Sequence, residues 1–181
     1  LIDACGERRL ACVVRSNRRA TVAQIAEELN AGSDRKVSEY TVYDGLIMLN
    51  TALSSFGAQV VLVTSSDENH PPESMIDGNT ETFWLSTGMF PQEFIIRFPD
   101  NMKISVISIH SFNVKRLRIE KSTQADAEKF EVIAEKEFEQ TEGSLQTNEI
   151  SLDGSNATHL KFLILSGYDH FVSLHKVGIQ A

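Results

Sequence analysis

One short segment of this 181-residue chain concentrates oxygen-bearing side chains that could hold a cation. Within residues 74–82, Asp77 offers a carboxylate, Gly78 lets the chain curl, and Asn79 and Thr82 add further oxygens. Hard cations such as Ca²⁺ take about six to eight oxygen ligands from carboxylates, hydroxyls and carbonyls. The same spacing is also typical of an Asx turn, in which Asp77 accepts backbone N–H groups and Thr82 caps the next strand. The residues alone leave both interpretations open.

The histidines form no recognised catalytic pattern: they are His70, His110, His159, His170 and His175. None lies in HExxH, no GxSxG sequence accompanies them, and the chain has neither a P-loop nor a dinucleotide-binding glycine pattern. Cys5 and Cys12 both precede the region that holds the histidines, which excludes a Cys–His pair there. Glu135 and Glu137 share one face of a strand, a pattern more typical of a solvated surface. These residues therefore form no recognised catalytic constellation.

Aromatic and polar residues recur at the ends of predicted strands: Phe112, Tyr168, His170 and Phe171. In a protein without catalytic groups, such a rim would serve as an anchor for another protein. Each ring could equally close one end of the hydrophobic core. The sequence does not decide between these two roles.

The charge distribution argues against nucleic-acid binding by most of the chain. Residues 1–50 contain seven basic and seven acidic residues, whereas residues 51–181 contain 10 basic and 18 acidic residues and so carry the whole net charge of -8. Phosphate contacts need clustered positive charge. No apolar run approaches the roughly 20 residues that span a bilayer, so we expect no membrane insertion. Two cysteines near the start give no disulfide framework, which fits a reducing compartment.

Residues 1–50 show helical periodicity, whereas residues 51–181 alternate with a period of two. In the first part, Thr21 and Ser38 are suitable N-caps, which predicts three short helices in a helix-turn-helix-like arrangement. Its basic side chains could contact phosphate: Arg15, Arg18, Arg19, Arg35 and Lys36.

The second part contains strand-length runs rich in Ile, Val and Phe at 59–65, 93–98, 104–112, 115–121, 129–138, 149–152 and 159–167. Turn formers separate them, including residues 98–101 and 153–157. In 159–167, apolar residues occupy both faces, which predicts a central strand. The absence of a long helical pattern and the count of about eight strands predict an antiparallel jelly-roll β-sandwich with a small all-α appendage. We place the domain boundary between residues 50 and 51.

The phrases NRRAT, LNAGSD and KVSEYTV within residues 6–43 resemble the N-terminal DNA-binding segment of mariner-type transposases. The resemblance ends there, with no second DNA-binding subdomain and no room for a catalytic domain. It therefore implies a transposon-derived fragment, and a DNA-binding fusion protein is one alternative function for the chain.

The phrases HPPE, IDGN, ETFW, TGMFPQEFII and IEKST, within residues 52–180, resemble the intraflagellar transport protein 25 family, also called heat shock protein beta-11. That resemblance implies a discoidin-like, or F5/8 type C, galactose-binding-like jelly roll. It further implies a non-enzymatic subunit of intraflagellar transport complex B in the cilium, the ciliary base and the cytoplasm. The implied partners are a Rab-like small GTPase, intraflagellar transport protein 27, and other complex B subunits. The implied role is ciliary transport and export of Hedgehog pathway components.

The same resemblance implies a calcium site. It assigns a carboxylate ligand to Asp77, a hydroxyl and carbonyl ligand to Thr82, and backbone carbonyls to Ser74 and Asn79. Sugar-binding relatives complete the shell with a Glu in the last strand, where this chain has Lys176, so we expect a structural Ca²⁺. Because the sugar-binding loops of those relatives are not recognisable here, a calcium-dependent lectin is a weak alternative.

Overall fold

The computed structural model describes residue 54 and residues 57–180. The predicted three-helix segment at residues 1–50, its transposase resemblance and its possible DNA contacts lie outside the described residues. Across residues 57–180, no helix has the length and apolar character needed to cross a bilayer.

The described residues form an antiparallel β-sandwich, which confirms the predicted fold class for this part of the chain. Its elements are β1 (Gln59–Val63), a 3₁₀ helix (Pro72–Ile76), β2 (Trp84–Leu85), β3 (Gln92–Phe112), β4 (Val114–Ser122), β5 (Glu131–Glu137), β6 (Gln146–Gly167) and β7 (Ser173–Gln180). The strand order is β2-β7-β3-β6-β4-β5, with β1 paired to β3. Every pairing is antiparallel.

Strands β3 and β6 are long enough to belong to both layers of the sandwich, with 21 and 22 residues. The first half of β3 pairs with β1, and its second half pairs with β7. β6 runs beside β3 through both halves, with a shift in register between Arg97 and Met102. The two layers are therefore one continuous hydrogen-bonded sheet that bends across the core.

This continuity corrects the predicted division into shorter strands. Residues 98–101 and 153–157 were expected to be turns, but they lie inside β3 and β6. Pro99 has no N–H to give to the ladder, and Gly154 adopts a φ of 71°. Both features interrupt the pairing locally, and here they bend paired strands instead of reversing the chain. β7 has few β-branched residues and was missing from the runs that composition indicated, although the resemblance placed Lys176 in a last strand.

The alternation of apolar residues was predicted correctly in the central strands. Leu117 and Ile119 of β4 are buried, as are Leu160, Phe162 and Ile164 of β6. β6 lies between β3 and β4, which confirms that it is central.

The alternation fails in β5, because Val132 falls on the period-two register of the apolar residues and yet is 54% exposed. The pairing with β4 shifts at this point, from Ile119 opposite Ala134 to Glu120 opposite Val132. Ile133 is the extra residue, and it packs against the core in place of Val132.

Candidate functional site

The predicted cation loop begins where the 3₁₀ helix ends. Met75 and Ile76 of that helix are buried, and Asp77 follows at its C-terminal end. Gly78 has a φ of 84°, a backbone conformation that residues other than glycine rarely adopt. On the far side of the loop, Trp84 is fully buried, and its Nε1–H donates to the carbonyl of Ser65 over 2.9 Å. Buried anchors at both ends thus hold the loop against the sandwich.

Asp77 closes the loop with both of its carboxylate oxygens. Its Oδ1 accepts the N–H of Asn79 at 2.7 Å, and its Oδ2 accepts the hydroxyl of Thr82 at 2.6 Å. The side-chain oxygen of Asn79 in turn accepts the N–H of Glu81 at 3.0 Å. These are two successive Asx turns, so the turn interpretation of this sequence is present in the structure.

The same loop places three oxygen atoms side by side. Thr82 Oγ1 lies 2.6 Å from Asp77 Oδ2 and 3.2 Å from the carbonyl oxygen of Asn79. A carboxylate, a hydroxyl and a carbonyl are the ligand types that Ca²⁺ prefers. The loop supplies only one carboxylate, and in residues 57–180 no three His, Cys, Asp or Glu side chains are grouped to hold a metal. The donors therefore fit a weakly held hard cation and do not fit a transition-metal centre.

The resemblance also concerned two further residues, Ser74 and Lys176. The N–H of Ser74 donates to the carbonyl of Pro71 at the start of the 3₁₀ helix, and the assignment of its own carbonyl as a ligand stays a prediction. Lys176 lies in β7 opposite His110 of β3. Burial lowers the pKa of His110 below its ordinary value, and the charge of Lys176 lowers it further.

An aromatic stack supports the loop from the side, and no sequence pattern indicated it. Phe83 lies between His70 and His175, with ring centroids 4.0 Å and 4.9 Å away. His175 Nδ1 lies 2.9 Å from the carbonyl oxygen of Thr80, so that nitrogen donates. This contact joins β7 to a loop 95 residues earlier in the chain.

No hydroxyl–histidine contact in the described residues resembles a working nucleophile. His175 Nε2 lies 3.2 Å from Ser173 Oγ, but Ser173 is buried in β7. A carbonyl, not a carboxylate, orients the other ring nitrogen of His175. Glu135 is held by Arg116 and Arg118, and these hydrogen bonds lower the pKa of its carboxyl. The predicted acid pair at Glu135 and Glu137 therefore includes an ion-paired surface carboxylate.

The predicted aromatic rim divides into supporting and exposed residues. Phe112 is half-buried at the end of β3, and the hydroxyl of Tyr168 donates to the carbonyl of Phe138 over 2.8 Å. His170 and Phe171 are exposed. Met89, in the neighbouring loop, is 89% exposed and was not identified from the sequence. Composition gave no means of finding it, because methionine is among the residue types most often buried.

Comparison with known proteins places this domain in a defined family. The F5/8 type C domain family matches residues 59–177. The human protein named intraflagellar transport protein 25 homolog is 51% identical over 132 residues, which are 73% of this chain and 92% of the human one. Intraflagellar transport protein 25 of Chlamydomonas reinhardtii is 39% identical, over 73% of this chain and 69% of its own length.

Solved structures show the same fold at much lower identity. A module from Clostridium perfringens, solved in complex with GalNAc-β-1,3-galactose, superimposes with a TM-score of 0.62 and 20% identity. The match covers 70% of this chain and 96% of that module. At this identity the likeness establishes the jelly-roll architecture and says nothing about the ligand.

Proposed function

The chain belongs to the intraflagellar transport protein 25 family, with an F5/8 type C domain, and on that premise we propose that it is a non-enzymatic subunit of intraflagellar transport complex B. Its partners in this proposal are a Rab-like small GTPase and other complex B subunits. Its place is the cilium, the ciliary base and the cytoplasm, where it supports ciliary transport and export of Hedgehog pathway components. The observation that carries the proposal is the 51% identity over 92% of the human relative.

The structure of the domain supports a binding role. Its described loops present exposed apolar side chains, such as Met89 and Phe171, on a rigid sheet scaffold. The polar groups that could do chemistry are used in ion pairs and turns, as at Glu135 and Asp77. A scaffold of this kind provides a fixed surface for another protein.

Purification of the full chain with the Rab-like GTPase tests this proposal. We expect one stable complex on size-exclusion chromatography at about micromolar concentration, where a specific complex survives dilution. An unrelated small GTPase of similar size serves as the control and should elute separately. Separate elution of the Rab-like GTPase as well would overturn the proposal.

We also propose that the loop at 77–82 holds a structural Ca²⁺. The geometry favours Asp77 Oδ2, Thr82 Oγ1 and the carbonyl of Asn79 as ligands, and the family resemblance adds the backbone carbonyl of Ser74. A bound cation would supply positive charge that holds these oxygens together. The Asx turns keep the loop closed around Asp77, so the protein itself orients the donors. Titration calorimetry with CaCl₂ against MgCl₂ tests the site, and no heat from either ion would remove it.

A further inference from the structure

Two neighbouring loops expose apolar side chains at one end of the sandwich. Residues 86–91 join β2 to β3, and residues 168–172 join β6 to β7. Met89 of the first loop is 89% exposed, and Phe171 of the second is 46% exposed. We call these two loops the Met89 rim.

The two loops of the Met89 rim are bonded to each other. The N–H of Ser86 donates to the carbonyl of Val172 over 3.0 Å, and the N–H of Val172 donates to Ser86 Oγ over 3.0 Å. Both residues are buried. A Cβ placed on Gly167 would lie 2.6 Å from the tip of the Phe90 ring, so the base of one loop packs tightly on the other. The rim is one connected surface.

A buried amide fixes the backbone beneath Met89. Gln92 is 3% exposed, and its Nε2 donates to the carbonyl of Met89 over 2.7 Å. Its Oε1 accepts the hydroxyls of Thr64 and Ser65 at 3.1 Å and 2.6 Å. Loop ordering is one of the main costs of association, and here the loop is already ordered. Only the flexible side chain of Met89 remains to be ordered when a partner binds, and methionine adapts readily to an irregular pocket.

The chain segment that carries the first loop of the Met89 rim is acidic. Residues 64–91 contain five Asp or Glu side chains and no Lys or Arg, and Asp169 lies exposed on the second loop. The ammonium of Lys115 lies 5.7 Å from the ring centroid of Tyr168, a residue of the second loop. An acidic surface with apolar anchors complements a protein surface that has an apolar pocket bordered by Lys and Arg. It does not complement an anionic lipid surface.

We propose that the Met89 rim docks the chain onto a folded protein of the transport assembly, with Met89 and Phe171 entering an apolar pocket bordered by basic residues. This inference rests on the proposed function, because it assigns the surface through which the subunit joins its complex. Anchors of this kind concentrate binding energy in a few buried side chains.

Full-length chains carrying Met89→Ser with Phe171→Ser test the proposal, with Val132→Ser as the matched control. Val132 is a 54% exposed apolar residue on β5, outside both loops. The probes are the recombinant Rab-like GTPase and recombinant complex B subunits, each titrated by calorimetry. We expect the dissociation constant for at least one probe to rise about tenfold or more in the double variant and to stay within about twofold in the control. Met89→Lys is a second test, since a cation facing a basic pocket should weaken binding at least as much.

The outcomes separate this inference from the proposed function. If the unaltered chain binds neither probe, the proposed function fails. If it binds and both Met89 variants bind equally well, the function stands and the rim is not the docking surface. Vesicles of mixed neutral and anionic lipid give the last measurement: binding that disappears in the double variant would assign the rim to membranes and overturn a protein occupant.

Discussion

Two polar clusters hold loops in this domain, and they differ in their exposure to solvent. Gln92 is 3% exposed and joins the carbonyl of Met89 to the hydroxyls of Thr64 and Ser65. Asp77 is exposed and joins two groups of its own loop. A buried hydrogen bond has no competing water, so removing one partner leaves the others unsatisfied. An exposed carboxylate that loses its partners costs much less free energy, because water takes their place.

This difference predicts which of the two loops a bound cation would stabilise. The Gln92 cluster is complete with protein groups alone. The Asp77 cluster gathers oxygen atoms in contact with water, and a cation would add interactions that the chain does not provide. We therefore expect the stability of the Asp77 loop, but not that of the Gln92 cluster, to depend on calcium.

The strongest test of this comparison is Gln92→Ala. Loss of three hydrogen bonds from a buried site should lower the free energy of unfolding by about 2–3 kcal/mol. Urea unfolding followed by the fluorescence of buried Trp84 measures it. Gln59→Ala, at an exposed position in β1, is the matched control and should change stability by less than about 0.5 kcal/mol. Equal losses for the two variants would mean that Gln92 does not organise the loops.

Asp77→Ala should have a smaller effect that depends on calcium. In chelator, loss of the turn contacts should cost about 1 kcal/mol, as for a lost capping side chain. In excess Ca²⁺ the loss should grow, because the unaltered chain gains stability from the bound ion and the variant does not. Thermal melting with and without chelator measures both. Asp153→Ala is the control, since Asp153 is also exposed and also precedes a glycine with positive φ. A calcium-independent loss at Asp77 would leave only the turn.

Gly88→Ala tests how tightly the Gln92 cluster is packed. An added Cβ would lie 2.9 Å from Gln92 Nε2, closer than ordinary contact. We expect a loss of about 1 kcal/mol, as for a modest overpacking change. The loss should disappear in a chain that also carries Gln92→Ala, since the crowded atom is gone. Additive losses in the double variant, measured by urea unfolding, would show that the Cβ disturbs something else.

The smallest expected effect is the pH dependence of stability that buried His159 contributes. His159 is 5% exposed, and burial, followed by the charge of Arg97, lowers its pKa below 6.5. Below that pH the unfolded chain takes up a proton that the folded chain resists, so stability should fall as the solution is acidified from about pH 7. His159→Asn should make this fall shallower in urea unfolding. An unchanged pH dependence would show that His159 is not responsible, and the similarly shifted His110 would be the next candidate.

The sequence predicted those parts of the fold in which the environment of a residue follows from its neighbours along the chain. The apolar residues of β4 and β6, such as Ile119 and Phe162, alternate because each strand has one face on the core. The bends in β3 and β6 were missed, because a proline or a positive-φ glycine produces a turn or a bend depending on the strand beside it. Val132 departs from the period-two pattern for the same reason, since the bulge next to it is a property of the pairing with β4.

The candidate site also contains contacts that local sequence predicts and contacts that only the complete fold creates. Asp77, Asn79 and Thr82 lie within six residues, and local turn chemistry brings them together as the sequence indicated. The contact between His175 and Thr80 joins residues 95 apart, and only the completed fold creates it. The loop that presents Met89 also depends on distant residues, because Gln92, which holds its backbone, accepts the hydroxyls of Thr64 and Ser65.

The passage of β3 and β6 through both layers also has a consequence for how the domain melts. A sandwich made of two separate sheets can lose one sheet while the other persists. Here each layer contains half of the same two strands, so neither can come apart without unpairing strands of the other. The domain should therefore unfold in a single all-or-none transition, with the same midpoint for every probe. Its folding should be slow for its size, because pairs such as Ile107 with Ile179 must meet across a long stretch of chain.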